Sequence, residues 1–195
     1  MSARMPYEEA FHAGIPFNEF LEATVKNRSL WHGVAARVTV SDEAIDRARA
    51  TREGTRLLVL ADDWCGDAVN TVPVVAALAD TVGVELRIVE REAYPEIMDA
   101  HLTNGARSIP VVIRLDGEGQ CQGWWGPRPG ELQAWFEAEG RALPTDERYK
   151  RLRRWYARDR GRSTANEVAR LLSPERQRSG EPEASTHPCP DEQAA

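Results

Sequence analysis

The chain has 195 residues, 42% of them hydrophobic and 29% charged, and a net charge of −6. That length holds one ordinary domain with extensions, and the apolar fraction is enough for a real core. No apolar run approaches the ~20 residues that cross a bilayer, and Glu8 and Glu9 come too early for a signal peptide, so a cytoplasmic protein with no membrane contact is expected.

Residues 1–54 read as helical, with one helix over about 16–27 and another from Ser41, an N-cap followed by Glu43 and Asp46, to about Arg52. Residues 56–61 are a continuous apolar run of strand length, as in a central strand covered on both faces. This run leads straight into Asp62-Asp63-Trp64-Cys65-Gly66-Asp67-Ala68. Beyond it, Val69, Val72, Val75, Ala76 and Ala79 recur at helical spacing and predict a helix over 66–81 with Pro73 inside it. A strand over 84–89 and a short helix over 94–102, closed by Asn104-Gly105, come next. Residues 110–115, the turn Asp116-Gly117-Glu118-Gly119, and residues 120–125 read as a hairpin. Helices over 130–139, from Pro144 to about Arg158 and over 163–172 complete the ordered part. Residues 173–195 hold four prolines and no Val, Ile, Leu, Met, Phe, Tyr or Trp, the composition of a disordered tail.

Strands joined through helices imply a parallel pair with a right-handed crossover, and the hairpin adds antiparallel strands to the same sheet. The expected fold is an α/β sandwich with a mixed four-stranded sheet flanked by helices. Around it the chain divides into an N-terminal helical extension (1–54), a central domain (55–140), a basic C-terminal helical extension (141–172) and the tail (173–195). The basic extension carries nine Lys/Arg against three acids over 141–162. It has no nucleic-acid-binding motif, so it reads as a basic helix docked on an acidic domain, and nucleic acid is not an expected partner.

Chemistry centres on Cys65, where a strand gives way to a helix whose unpaired N–H groups favour a thiolate by ~0.3–1 kcal/mol. Asp62, Asp63 and Asp67 oppose that effect. Three residues on, Ala68 stands where a dithiol enzyme would carry its second cysteine, so the site looks built for one thiol. Asp67 reads as a first-turn acid that satisfies free N–H groups, with a proton shuttle as the alternative. Trp64, Trp124 and Trp125 are candidates for a substrate groove, although strand alternation sends one of the last two to the core. Cys65, Cys121 and Cys189 include no close pair, which supports neither a disulfide framework nor a zinc site. Cys121 reads as structural and Cys189 as a spectator thiol in the tail. His187 beside it gives too few ligands for a metal, and no cofactor is expected.

Trp64-Cys65-Gly66 opening a helix, Pro73 eight residues after the cysteine, Ser108-Ile109-Pro110 opening a hairpin and Gly126 sixteen residues after Pro110 together resemble the thioredoxin family over about residues 55–140. The resemblance implies a thioredoxin-like sandwich and a cis bond before Pro110 that faces the thiol. It also implies a groove where Ile109 offers its backbone to a substrate, with Trp125 and Gly126 along the other side. Two departures stand out: Ala68 replaces the resolving cysteine, and Val59 takes the place of the buried acid six residues before the nucleophile. The implied function is thiol–disulfide exchange with a single active-site thiol. Cys65 is its nucleophile, Gly66 and the helix N-terminus stabilise the thiolate, and small-molecule or protein thiols and disulfides are the partners. The alternative is a non-catalytic thioredoxin-like binding module that has lost redox activity. An iron–sulfur scaffold of the monothiol glutaredoxin kind fits less well, because the residues around Cys65 do not match that motif.

Overall fold

The apolar run after Gly54 becomes the centre of the molecule. In the computed structural model, which describes residues 5–173 and 186–190, strand β1 (Arg56–Leu60) is paired on both sides. It runs parallel to β2 (Glu85–Val89) and antiparallel to β3 (Val111–Leu115). Leu57, Leu58, Val59 and Leu60 have no exposed surface, as a strand covered on both faces requires. β3 pairs antiparallel with β4 (Cys121–Trp125), and β4 with β5 (Thr186–His187), in the order β2-β1-β3-β4-β5. The result is an α/β fold with a mixed five-stranded sheet flanked by helices.

The fifth strand corrects the expected count of four, and it comes from the segment read as a disordered tail. Thr186 and His187 add to the free edge of β4, the His187 ring stacks on Trp124 at 4.0 Å, and Cys189 is joined to Cys121 by a disulfide. Cys121 and Cys189 are therefore partners, not a structural thiol and a spectator. Composition misled here because this docking uses backbone pairing, one ring contact and a covalent bond, none of which needs large aliphatic side chains. The remainder of the tail expectation, residues 174–185 and 191–195, lies outside the described residues.

The N-terminal region folds as α1 (Tyr7–Ala13), α2 (Phe17–Ala23), α3 (Arg28–Ala35) and α4 (Asp42–Ala48). The helix expected over 16–27 stops at Ala23, and Asn27, left-handed at φ 53°, turns the chain into α3. Ser41 caps α4 as expected, its hydroxyl accepting from the Ala44 N–H at 3.3 Å. Tyr7, Phe11, Phe20 and Trp31 are buried in the same core as the sheet, and Ile15 bridges to Ile88 of β2. After Cys65 come α5 (Gly66–Val82), with Pro73 inside, and α6 (Pro95–Ala100). The hairpin is followed by α7 (Gly130–Ala138), a 3₁₀ turn (Gly140–Ala142), α8 (Thr145–Asp159) and α9 (Arg162–Leu172). Leu132, Leu152 and Tyr156 form a second, smaller cluster joining α7 to α8. Among the described residues no helix is long and apolar enough to cross a membrane.

Candidate functional site

β1 delivers the chain to Asp62–Ala68 at its carboxyl end, and the N-terminal helices fasten this loop. The Asp63 carboxylate accepts the N–H groups of Val25 (2.8 Å) and Lys26 (2.7 Å), and its carbonyl accepts the Trp31 indole N–H at 2.9 Å. Cys65 is the N-cap of α5: its sulfur accepts the Ala68 N–H at 3.4 Å and donates to the Ile109 carbonyl at 3.3 Å. The Ile109–Pro110 bond is cis, and so is Gly126–Pro127, which the sequence did not suggest. Gly126 has φ +140°, and a Cβ there would overlap the Pro110 carbonyl oxygen, so this close approach admits glycine alone.

Cys65, Ile109, Pro110 and Gly126 thus come together. Trp64 stands beside them with half its surface exposed and the Arg91 guanidinium 5.2 Å from its ring centre. Gly66 is exposed with open space around it, and Ala68 is fully buried. Trp125 does not line a groove: it is fully buried and its indole N–H donates to Glu167 of α9 at 2.7 Å. Trp124 is buried too, between His187 and His101. Both indoles are covered because β5 and α9, two late elements, close over β4.

Asp67 does not cap the helix. One carboxylate oxygen pairs with Arg128 at 2.6 Å and the other accepts the Tyr156 hydroxyl at 2.9 Å. The sulfur of Cys65 already serves the first turn, and a carboxylate in so enclosed a place needs charged and hydroxyl partners. Burial pushes the Asp67 carboxyl above its usual range, while Arg128 and Tyr156 pull it down. Arg128 in turn lies 3.9 Å from the Phe136 ring centre.

Burial also pushes the Cys65 thiol from 9.0 up to about 11, and the Asp67 charge adds to the rise. The N–H groups of Ala68 and Asp67, and the Arg128 charge, act in the opposite sense. A rise of that size is worth about 3 kcal/mol, more than the ~0.3–1 kcal/mol that a helix terminus returns. Burial and the Asp67 charge thus outweigh the helix terminus and favour the thiol, consistent with its donating to Ile109, while the first-turn N–H groups act toward the thiolate. Arg128 and Tyr156 were missed as site residues. Their local signals were visible, an Arg directly after Gly126-Pro127 and a Tyr four residues after Leu152 on the apolar face of α8. Nothing local announced their shared partner. Among the described residues no group of three or more His, Cys, Asp or Glu is placed to hold a metal.

A family model described as Thioredoxin matches residues 14–158. The chain belongs to the thioredoxin family. The matched stretch takes in α2 and α3, which fasten the Cys65 loop, and reaches Tyr156, so it is wider than the central segment in which the motifs lie. Among solved structures, a protein of unknown function from Pseudomonas aeruginosa is 22% identical, with a TM-score of 0.65 over 85% of this chain and 96% of that one. An HIV epitope scaffold is 19% identical, with a TM-score of 0.66 and the same coverage. At these identities the likeness is one of fold alone. No curated protein matches the sequence.

Proposed function

We propose that this thioredoxin-family chain carries out thiol–disulfide exchange through Cys65, with a small thiol or a partner protein as the other party. The observation that carries the reading is the 3.3 Å hydrogen bond from the Cys65 sulfur to the Ile109 carbonyl. The free cysteine lies against the backbone that an extended substrate would pair with. Exposed Trp64 and the open space at Gly66 leave that side approachable from solvent.

In the exchange, the Cys65 sulfur attacks one sulfur of a disulfide and that S–S bond breaks. The other half departs as a thiolate and takes up the proton that Cys65 gives up. Ala68 supplies no second thiol, so an external thiol must attack the mixed disulfide, regenerate Cys65 and carry away the oxidised product. With the thiol at about 11, roughly one in ten thousand is ionised at pH 7, so the reaction is slow and speeds up in alkali. The same raised value favours a second reading, a thioredoxin-like binding module that keeps the groove without the chemistry.

Incubation with excess small disulfide at pH 9, followed by mass mapping, separates the two. Exchange predicts one adduct on Cys65 that an external thiol removes, and none in Cys65→Ser. If native protein stays unmodified while the unfolded chain is labelled at Cys65, the binding-module reading replaces it. Ala68→Cys supplies the missing partner one turn along α5 and is expected to form an internal disulfide under mild oxidation.

A further inference from the structure

Beside the Cys65 loop, at the carboxyl ends of the parallel strands β1 and β2, lies an open cavity of about 480 Å³ that the exchange chemistry does not use. In open α/β sheets this edge is where ligands settle, and the volume suits a small molecule. Ile15, Phe20, Val25 and Trp64 supply apolar wall, while Asp62, Asp63, Glu90 and Glu92 bring four carboxylates against the single guanidinium of Arg91. Two of these acids are committed elsewhere: Asp63 holds the N–H groups of Val25 and Lys26, and Glu92 pairs with Arg91 and Arg107.

Asp62 is different. Its side chain is only 13% exposed, yet among the described residues its carboxylate accepts a single hydrogen bond, from the Arg91 backbone N–H at 3.3 Å. Its second oxygen forms a long ion pair with Arg91, 4.0 Å from Nε, with no hydrogen bond between them. Burial and the neighbouring charges of Glu92 and Asp63 push its carboxyl above the usual range, while the Arg91 N–H and guanidinium pull it down. Glu90 at the rim is exposed and has no ion-pair partner among the described residues. The wall also shows which charge it tolerates, since Arg91 already rests a cation on the Trp64 ring.

We infer that this cavity binds the protonated amine of a small aminothiol or its disulfide, with the ammonium on Asp62 and the apolar stem along Trp64. Trp64 adjoins both Cys65 and the cavity, so an amine held there keeps its sulfur on the Cys65 side of the indole. This role in substrate choice rests on the exchange reading above; binding of the amine itself does not.

The first arm therefore uses a probe without sulfur. Titration of the whole chain at pH 7 with 2-phenylethylamine, followed through the Trp64 indole NMR signal assigned with Trp64→Phe, is expected to show saturable binding at least tenfold tighter than that of 2-phenylethanol. Asp62→Asn, which keeps an acceptor for the Arg91 N–H, should lose that preference, and Arg91→Gln should tighten amine binding several-fold by removing the internal cation. Equal binding of amine and alcohol, no saturation at Trp64, or an unchanged preference in Asp62→Asn would overturn the site. The second arm compares adduct formation on Cys65 at pH 9 by cystamine and by bis(2-hydroxyethyl) disulfide. Cystamine should react at least fivefold faster than its greater intrinsic reactivity toward a free thiol accounts for, and Asp62→Asn should remove the excess. Amine binding without that excess overturns the substrate role. No adduct from either disulfide removes the exchange reading and the substrate role with it, leaving the amine site to stand or fall on the first arm.

Discussion

Cys65 and the Cys121–Cys189 pair sit at opposite ends of the hairpin and are held by opposite means. Cys65 is enclosed by backbone from α5 and from the Ile109–Pro110 step, and its chemistry is set by what surrounds it: burial and the Asp67 carboxylate hold the proton on. The other two sulfurs secure a strand of two residues to the sheet edge, and whether they do so depends on the redox state around them. One thiol is governed by electrostatics inside the fold, and the other two by chemistry outside it. The lesson is that a cysteine's role follows from which segments close over it, and here those segments come from far along the chain.

The strongest way to break the Cys65 side is Gly126→Ala, because a methyl at φ +140° would overlap the Pro110 carbonyl. A loss of about 4 kcal/mol or more is expected in denaturant unfolding; a loss below about 1 kcal/mol would mean that the loop yields. Next is Asp67→Asn, which strands Arg128 and is expected to cost about 3–5 kcal/mol. It should also move the Cys65 thiol down toward its ordinary value, since the Asp67 charge is one of the two causes of the rise. A stability loss with an unmoved alkylation profile would show that Asp67 is structural alone.

On the other side, Cys189→Ser is expected to cost about 2–4 kcal/mol under oxidising conditions and little after reduction, whereas removal of residues 174–195 also takes away the β5 pairing and the His187 stack and is expected to keep part of its cost after reduction. An unchanged melting temperature would restore the reading of the tail as a passive appendage. The smallest effect sharpens the contrast through pH. The unfolded chain ionises Cys65 near 9 and the folded chain at about 11, so the stability it contributes is complete below pH 9 and falls as pH rises toward 11. Urea unfolding across that window should show a downward slope that is shallower in Cys65→Ala, whereas Cys189→Ser should leave the slope unchanged.

What the sequence disclosed was local. β1, α5 and the hairpin were legible because a covered strand, a 3.6-residue period and a Gly-rich turn each leave a continuous mark over a few residues. The grouping of Cys65 with Ile109, Pro110 and Gly126 was legible only through the resemblance to the thioredoxin family that these motifs carry, not from spacing alone. Contacts across long separations were not legible: Tyr156 meets Asp67 from 89 residues away, and Asp63 reaches back 38 residues to Val25. Trp125 illustrates the same limit, because alternation fixes which face a strand residue takes but not that α9 will cover it. β5 escaped notice because a two-residue strand carries no period at all.

The most direct test of the central claim, that Cys65 rests as a buried protonated thiol within a thioredoxin fold, is the pH dependence of its alkylation in the folded protein, mapped by mass with Cys121–Cys189 intact. The rate at Cys65 is expected to climb through pH 9 and 10 toward an apparent pKa of about 11. A rate that levels off below pH 8 would contradict the account, because it would mean that the helix N-terminus and Arg128 prevail over burial and Asp67.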